Sequence, residues 1–181
     1  MSERVGPIFA LDLATRSGFA WGAPGCKQPS SGSVRFASPG ASHEAIFAAA
    51  LTWATEQFRT HKPSLVVWEA PVPTSFKAGV TNAGTTTVLF GLPAIIGAVA
   101  FLVGIHDVRK APTSDVRHHF IHCNPKRVVA KALTMRQCRA LGWAPADDNE
   151  ADALAIWHYA GSILDPKLAI QTSPLFRRAA E

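Results

Sequence analysis

Cysteine is scarce in this chain. Cys26, Cys123 and Cys138 are odd in number, far apart and in no C-x-x-C pair. That excludes a disulfide framework and a zinc ribbon, and it implies reduced thiols in a cytoplasmic protein. Charged residues make up only 17% against 48% apolar, which excludes a disordered chain and suits a globular one. No internal repeat and no second domain stand out in the 181 residues, so one domain is expected over residues 1–165, with a C-terminal tail of little periodicity at 166–181. Met1-Ser-Glu-Arg runs straight into a strand pattern, so no secretory signal is expected.

Charge of either sign is missing from Val88 to Gly104, 17 residues that include Pro93 and three glycines. The run is slightly short for a membrane span, and a buried core or subunit-contact helix is expected instead. Acid is nearly missing from Val108 to Ala140, where Asp115 stands alone against Arg109, Lys110, Arg117, Lys126, Arg127, Lys131, Arg136 and Arg139. With a net charge of +5, this basic tract points to a polyanionic partner. Asp147, Asp148, Glu150 and Asp152 then crowd into six residues. Cations for a phosphate backbone beside carboxylates for metal ions are what a metal-dependent nuclease needs.

Pattern and turn chemistry predict strands at 7–13, 18–22 and 30–36, the first two joined by Ala14-Thr-Arg-Ser17. A helix over 42–60, with Ser42 as cap, leads to a short apolar strand, Leu65–Trp68, closed by Glu69. Pro71 and Pro73 force a loop to about Asn82, and the apolar helix follows to Gly104. The last strand is expected at 105–109, then helices at 113–120, 126–141 and 148–164. This order implies a mixed sheet flanked by helices, an α/β architecture.

Three acids sit where acids are costly unless paired or bound to a cation. Asp12 interrupts Ile-Phe-Ala-Leu-Asp12-Leu, Glu69 ends Leu-Val-Val-Trp-Glu69, and Asp152 lies in the last helix. From three separate elements they can meet at one divalent-metal site, where oxygen ligands suit Mg²⁺ or Mn²⁺. Asp147-x-x-Glu150 has capping-box spacing, which gives Glu150 a structural task. Glu150 also lies about 200° around the helix from Asp152. Asp148 and Asn149, four and three residues before Asp152, share its face, and either could be a fourth ligand.

Asp12 in LDLATRSGFAW, Glu69 in VVWEAP and Asp152 in NEADALAIW resemble the signature regions of the RuvC-type Holliday-junction resolvases. The resemblance covers roughly Ile8 to Tyr159 and implies an RNase H-like fold. It further implies a homodimer that binds four-way DNA junctions and makes paired nicks with two Mg²⁺ or Mn²⁺ ions. Asp12, Glu69 and Asp152 would then be metal ligands, with Asn149 where the family generally carries a fourth, acidic one. Arg117, Lys126 and Arg127 fall where the family places cations on DNA, and Lys126 would stabilise the scissile phosphate. Phe76-Lys77 would stack on unpaired bases at the junction centre. His118, His119, His122 and Cys123 match no common closed zinc site.

Overall fold

The computed structural model describes residues 6–70, 83–165 and 167–168. The first residues of the chain, residues 71–82 where a loop with Phe76 and Lys77 is expected, and residues 166 and 169–181 lie outside the described residues. Ten elements follow in order: β1 (Ile8–Asp12), β2 (Arg16–Gly22), β3 (Ser30–Arg35), α1 (His43–His61), β4 (Leu65–Glu69), α2 (Ala83–Leu102), β5 (Val108–Ala111), α3 (Thr113–Ile121), α4 (Arg127–Ala140) and α5 (Asp148–Leu164).

The strands form one mixed sheet in the order β3-β2-β1-β4-β5. β1, β2 and β3 are an antiparallel meander, while β4 pairs parallel with both β1 and β5. The central strands β1 and β4 are apolar on both faces because helices cover both faces. Phe9, Leu11, Val66 and Trp68 pack with Ala54 and Phe58 of α1 and Ile96 and Val99 of α2. Ile8, Ala10, Leu65 and Val67 pack the opposite way, with Val116 and Phe120 of α3, Cys138 of α4 and Leu154, Ile156 and Trp157 of α5. Successive strand residues point to opposite faces. Asp12 continues the set Ile8 and Ala10, and Glu69 continues Leu65 and Val67. Strand periodicity thus sends both acids to the face that carries α5.

Register places them side by side, since Leu11 is paired with Trp68 and each acid is one residue further on. Both stand at C-terminal strand ends, the edge where open α/β sheets place their ligand crevice.

The start of α5 is fastened to the meander. Asp147 is its N-cap, accepting from the Glu150 amide at 2.9 Å, and its other oxygen takes the Ser33 hydroxyl at 2.8 Å and Arg16 at 2.7 Å. Glu150 has the structural role expected of it, with different partners. It accepts the Ala146 amide at 2.7 Å and the Ser31 hydroxyl at 2.6 Å rather than reaching the Asp147 amide. Beneath this anchor, Gly18 lets the helix backbone come very close: a Cβ there would stand 1.8 Å from the Asn149 carbonyl oxygen. On the far side of α5, the His119 and His158 ring nitrogens meet at 2.8 Å and join α3 to α5. Burial, with the His158 and His122 charges behind it, pushes His119 down to about 4, so its ring is neutral at pH 7.

One expectation needs correction. The last strand is Val108–Ala111, not 105–109. Gly104, at φ +87°, ends α2 in a left-handed turn, and Ile105 folds back so that its amide bonds to Ala100 and its side chain enters the core. The apolar helix is only partly buried. Leu92, Ile96, Val99 and Ala100 are covered, but Phe90, Phe101 and Leu102 are exposed. From Gly84 to Leu102 it is long and apolar enough to cross a membrane by length and composition. In this fold its inner stripe is packed on the sheet and α1.

Candidate metal centre and cationic cleft

Asp12, Glu69 and Asp152 line one cleft of about 420 Å³. Among the described residues its remaining wall is Leu13, Ala70, Leu89, Thr113, Arg117, Arg127, Ala130 and Lys131. β1 and β4 deliver the first two acids, and α5 lays Asp152 against them because its N-terminus is fixed on β2 and β3. Thr113, the first residue of α3, donates its hydroxyl to Glu69 Oε1 and fixes that carboxylate's orientation.

The electrostatics show the strain of gathering these acids. Burial, then the neighbouring Asp152 and Glu69 carboxylates, push the Asp12 carboxyl up to about 7, against a pull from Lys131 and Arg127. Burial pushes Asp152 up to about 6, with Glu69 and Asp148 adding to it and Lys131 and Arg117 opposing. Carboxyls raised by burial and by each other are those a bound cation would relieve most. Among the described residues, no three His, Cys, Asp or Glu side chains stand close enough to close on one ion. The acids share a cleft without forming a tight cage. The donor chemistry nevertheless fits a hard divalent ion: carboxylate oxygens only, with a hydroxyl holding one of them.

The remaining expected residues divide. Arg117 and Arg127 line the cleft. Arg117 is held by Asn124 Oδ1 at 3.2 Å and the Pro125 carbonyl at 3.5 Å. Lys126 is the exposed N-cap residue of α4 and is not among the lining residues. Asn149 is not among them either, and its backbone carbonyl packs over Gly18. Asp148 is engaged by Lys131 in an ion pair. Sequence reasoning missed Lys131 and Thr113. The signal for Lys131 was its spacing: Arg127 and Lys131 flank Ala130 and lie one turn apart, on the same side of α4 as buried Ala130 and Thr134.

No protein-family model matches the sequence, and no curated protein matches it either. Solved structures do match. RuvC of Thermus thermophilus in complex with a Holliday junction substrate aligns with a TM-score of 0.69 at 14% identity, over 90% of this chain and 97% of that one. A second T. thermophilus RuvC structure gives 0.64 at 17% identity, over 87% and 95%. The yeast mitochondrial Holliday junction resolvase Ydc2 gives 0.60 at 8% identity, over 93% and 85%. At these identities the likeness establishes the fold: a RuvC-type, RNase H-like mixed sheet flanked by five helices.

Proposed function

We propose that the protein is a divalent-metal-dependent nuclease that cuts branched DNA, with four-way junctions as its substrate. The observation that carries this reading is the cleft itself, where Asp12, Glu69 and Asp152 face a wall of Arg117, Arg127 and Lys131. Carboxylates alone suit many tasks, but carboxylates beside three cations suit a phosphodiester. The fold shared with a resolvase solved on a Holliday junction supports the choice of substrate.

Asp12, Glu69 and Asp152 would hold Mg²⁺ or Mn²⁺, with Asp148 or Asn149 from the first turn of α5 as a further donor. The ions would supply a water of lowered pKa and neutralise charge at the leaving oxygen. The chain's own residues do the rest. Arg117 and Arg127 hold the phosphate, and Thr113 keeps Glu69 in position. Lys126 offers its exposed ammonium to the backbone outside the cleft. Phe76 and Lys77 complete the contact at unpaired bases. The products would carry a 5′-phosphate and a 3′-hydroxyl. The protein acts as a homodimer, consistent with the exposed Phe90, Phe101 and Leu102 on α2.

Synthetic four-way junctions incubated with Mg²⁺ or Mn²⁺ should be nicked in pairs, faster than linear duplex, flaps or RNA–DNA hybrid, and chelation should stop the reaction. Faster cutting of flaps or hybrid would keep the nuclease and replace the substrate. Tight junction binding with no nicks under any divalent ion would instead favour a junction-binding protein. That second reading draws on the loose spacing of the acids and on Asn149, a neutral residue that is not among the cleft's lining residues.

A further inference from the structure

We propose that Lys131 is the built-in counter-ion of the carboxylate cleft, and that a divalent cation entering the cleft must displace it. The inference rests on the metal-dependent reading above. Lys131 lines the same cleft as Asp12, Glu69 and Asp152. Its ammonium is paired with Asp148, one helical turn before Asp152 and on the same side of α5. It is therefore tethered at the rim, within the field of all the acids it faces. That field is felt in return, because Lys131 opposes the rise of both Asp12 and Asp152.

Among the described residues three cations line the cleft, and they are not equivalent. Arg117 is braced by Asn124 and the Pro125 carbonyl. Lys131 is a compact charge on a flexible four-carbon stem, with one ionic partner among the described residues, in a part-buried pair. An ammonium on so flexible a stem is costly to hold in one place for the fold alone, and its position among Asp12, Glu69 and Asp152 points to a purpose in the cleft. A divalent ion placed among the acids repels the ammonium. The least costly response is for Lys131 to swing outward, which frees Asp148 as an oxygen donor and turns the ammonium toward a phosphate backbone passing over α4. One lysine thus balances the acids before the metal arrives and binds substrate afterwards.

The test is a calorimetric Mn²⁺ titration of the wild type, Lys131→Met and Lys131→Arg, without DNA, after melting curves have shown that each is folded. Removing one unit charge a few ångströms from a divalent ion, at the effective dielectric of a part-buried site, should tighten Mn²⁺ binding by about fivefold or more. Junction affinity of the same Lys131→Met variant should fall, measured with Ca²⁺ in place of Mn²⁺. Lys131→Arg, which keeps the charge, should bind Mn²⁺ as the wild type does. Wild-type or weaker Mn²⁺ affinity in Lys131→Met, or equal tightening in Lys131→Arg, overturns the inference and leaves the metal-dependent reading standing. Absence of Mn²⁺ binding by the wild type overturns both.

Discussion

Asp12→Asn should abolish cleavage and, in the metal-free protein at pH 8, raise the melting temperature. The two effects have one cause. Asp12 is a half-buried carboxyl whose pKa is pushed from 3.8 to about 7 by desolvation and by Asp152 and Glu69. A folded-state pKa above the unfolded one means that the charged form is better tolerated in the unfolded chain. The associated stability is fully present below about pH 4 and is lost as pH climbs toward and past 7. Asp152, raised to about 6, adds a similar loss over a narrower window. His119, lowered to about 4, works in the opposite sense up to about pH 6.5, but the two carboxyls together outweigh it. The metal-free wild type should therefore be less stable at pH 8 than at pH 5, and the Asp12→Asn substitution should flatten that slope. For a chain of this length, each 1 kcal/mol recovered moves the midpoint by about 2–4 °C. Mn²⁺ should raise the wild-type midpoint at pH 8 and have much less effect on the variant. Cleavage should fall by at least about a hundredfold, because the remaining carboxylates cannot hold the reacting charge in the same way. Melting curves at both pH values, with and without Mn²⁺, decide the matter. An Asp12→Asn variant whose stability changes between pH 5 and pH 8 as the wild type's does would remove the electrostatic argument.

Gly18→Ala should damage both fold and site through a single methyl group. The added carbon would meet the Asn149 carbonyl oxygen at 1.8 Å and the Glu150 amide nitrogen at 2.9 Å, and both are backbone atoms that no side-chain rotation can move aside. The N-terminus of α5 must lift from β2, taking Asp152 with it and straining the Asp147 and Glu150 anchors. Overpacking of this kind costs about 1–3 kcal/mol, and more where backbone is involved. Gly97→Ala is the matched control. Its new methyl would make ordinary contact with Trp68 at 3.4 Å, inside a helix where alanine is favoured over glycine. Urea denaturation should show a clear loss for the first variant and no loss for the second, and only the first should lose cleavage. Equal stabilities would mean that α5 is not seated on Gly18.

Much of the candidate cleft is legible in the sequence, for definite reasons. An acid that closes an apolar strand has its direction set by the residues before it, so Asp12 and Glu69 declared themselves through a period of two. Glu150 could be assigned to capping from spacing alone, although its partners, Ala146 and Ser31, depended on how β3 lies against α5. Lys131 and Thr113 could not be read in the same way. α4 carries bases on several sides, and which side faces the acids is decided by helix packing between α4 and α5. Thr113 matters only because β5 ends beside β4, which brings the start of α3 to Glu69. The strand at 108–111 was misplaced because Ile105 is as apolar as a strand residue, and its use in closing the α2 turn is a tertiary event.

The polar strand β3, Ser-Ser-Gly-Ser-Val-Arg, lies at the edge of the sheet with a single neighbour, and Ser31 and Ser33 tie it to α5. Edge strands are among the first parts of a sheet to open in native-state fluctuations, without global unfolding. Each such opening would release Glu150 and Asp147, and with them the alignment of Asp152 to Asp12 and Glu69, while the apolar core on either side of β1 and β4 stays closed. The fraction of molecules competent at any instant is then governed by the opening equilibrium of one short strand, readable as amide hydrogen exchange in Ser30–Arg35 faster than in Ile8–Asp12.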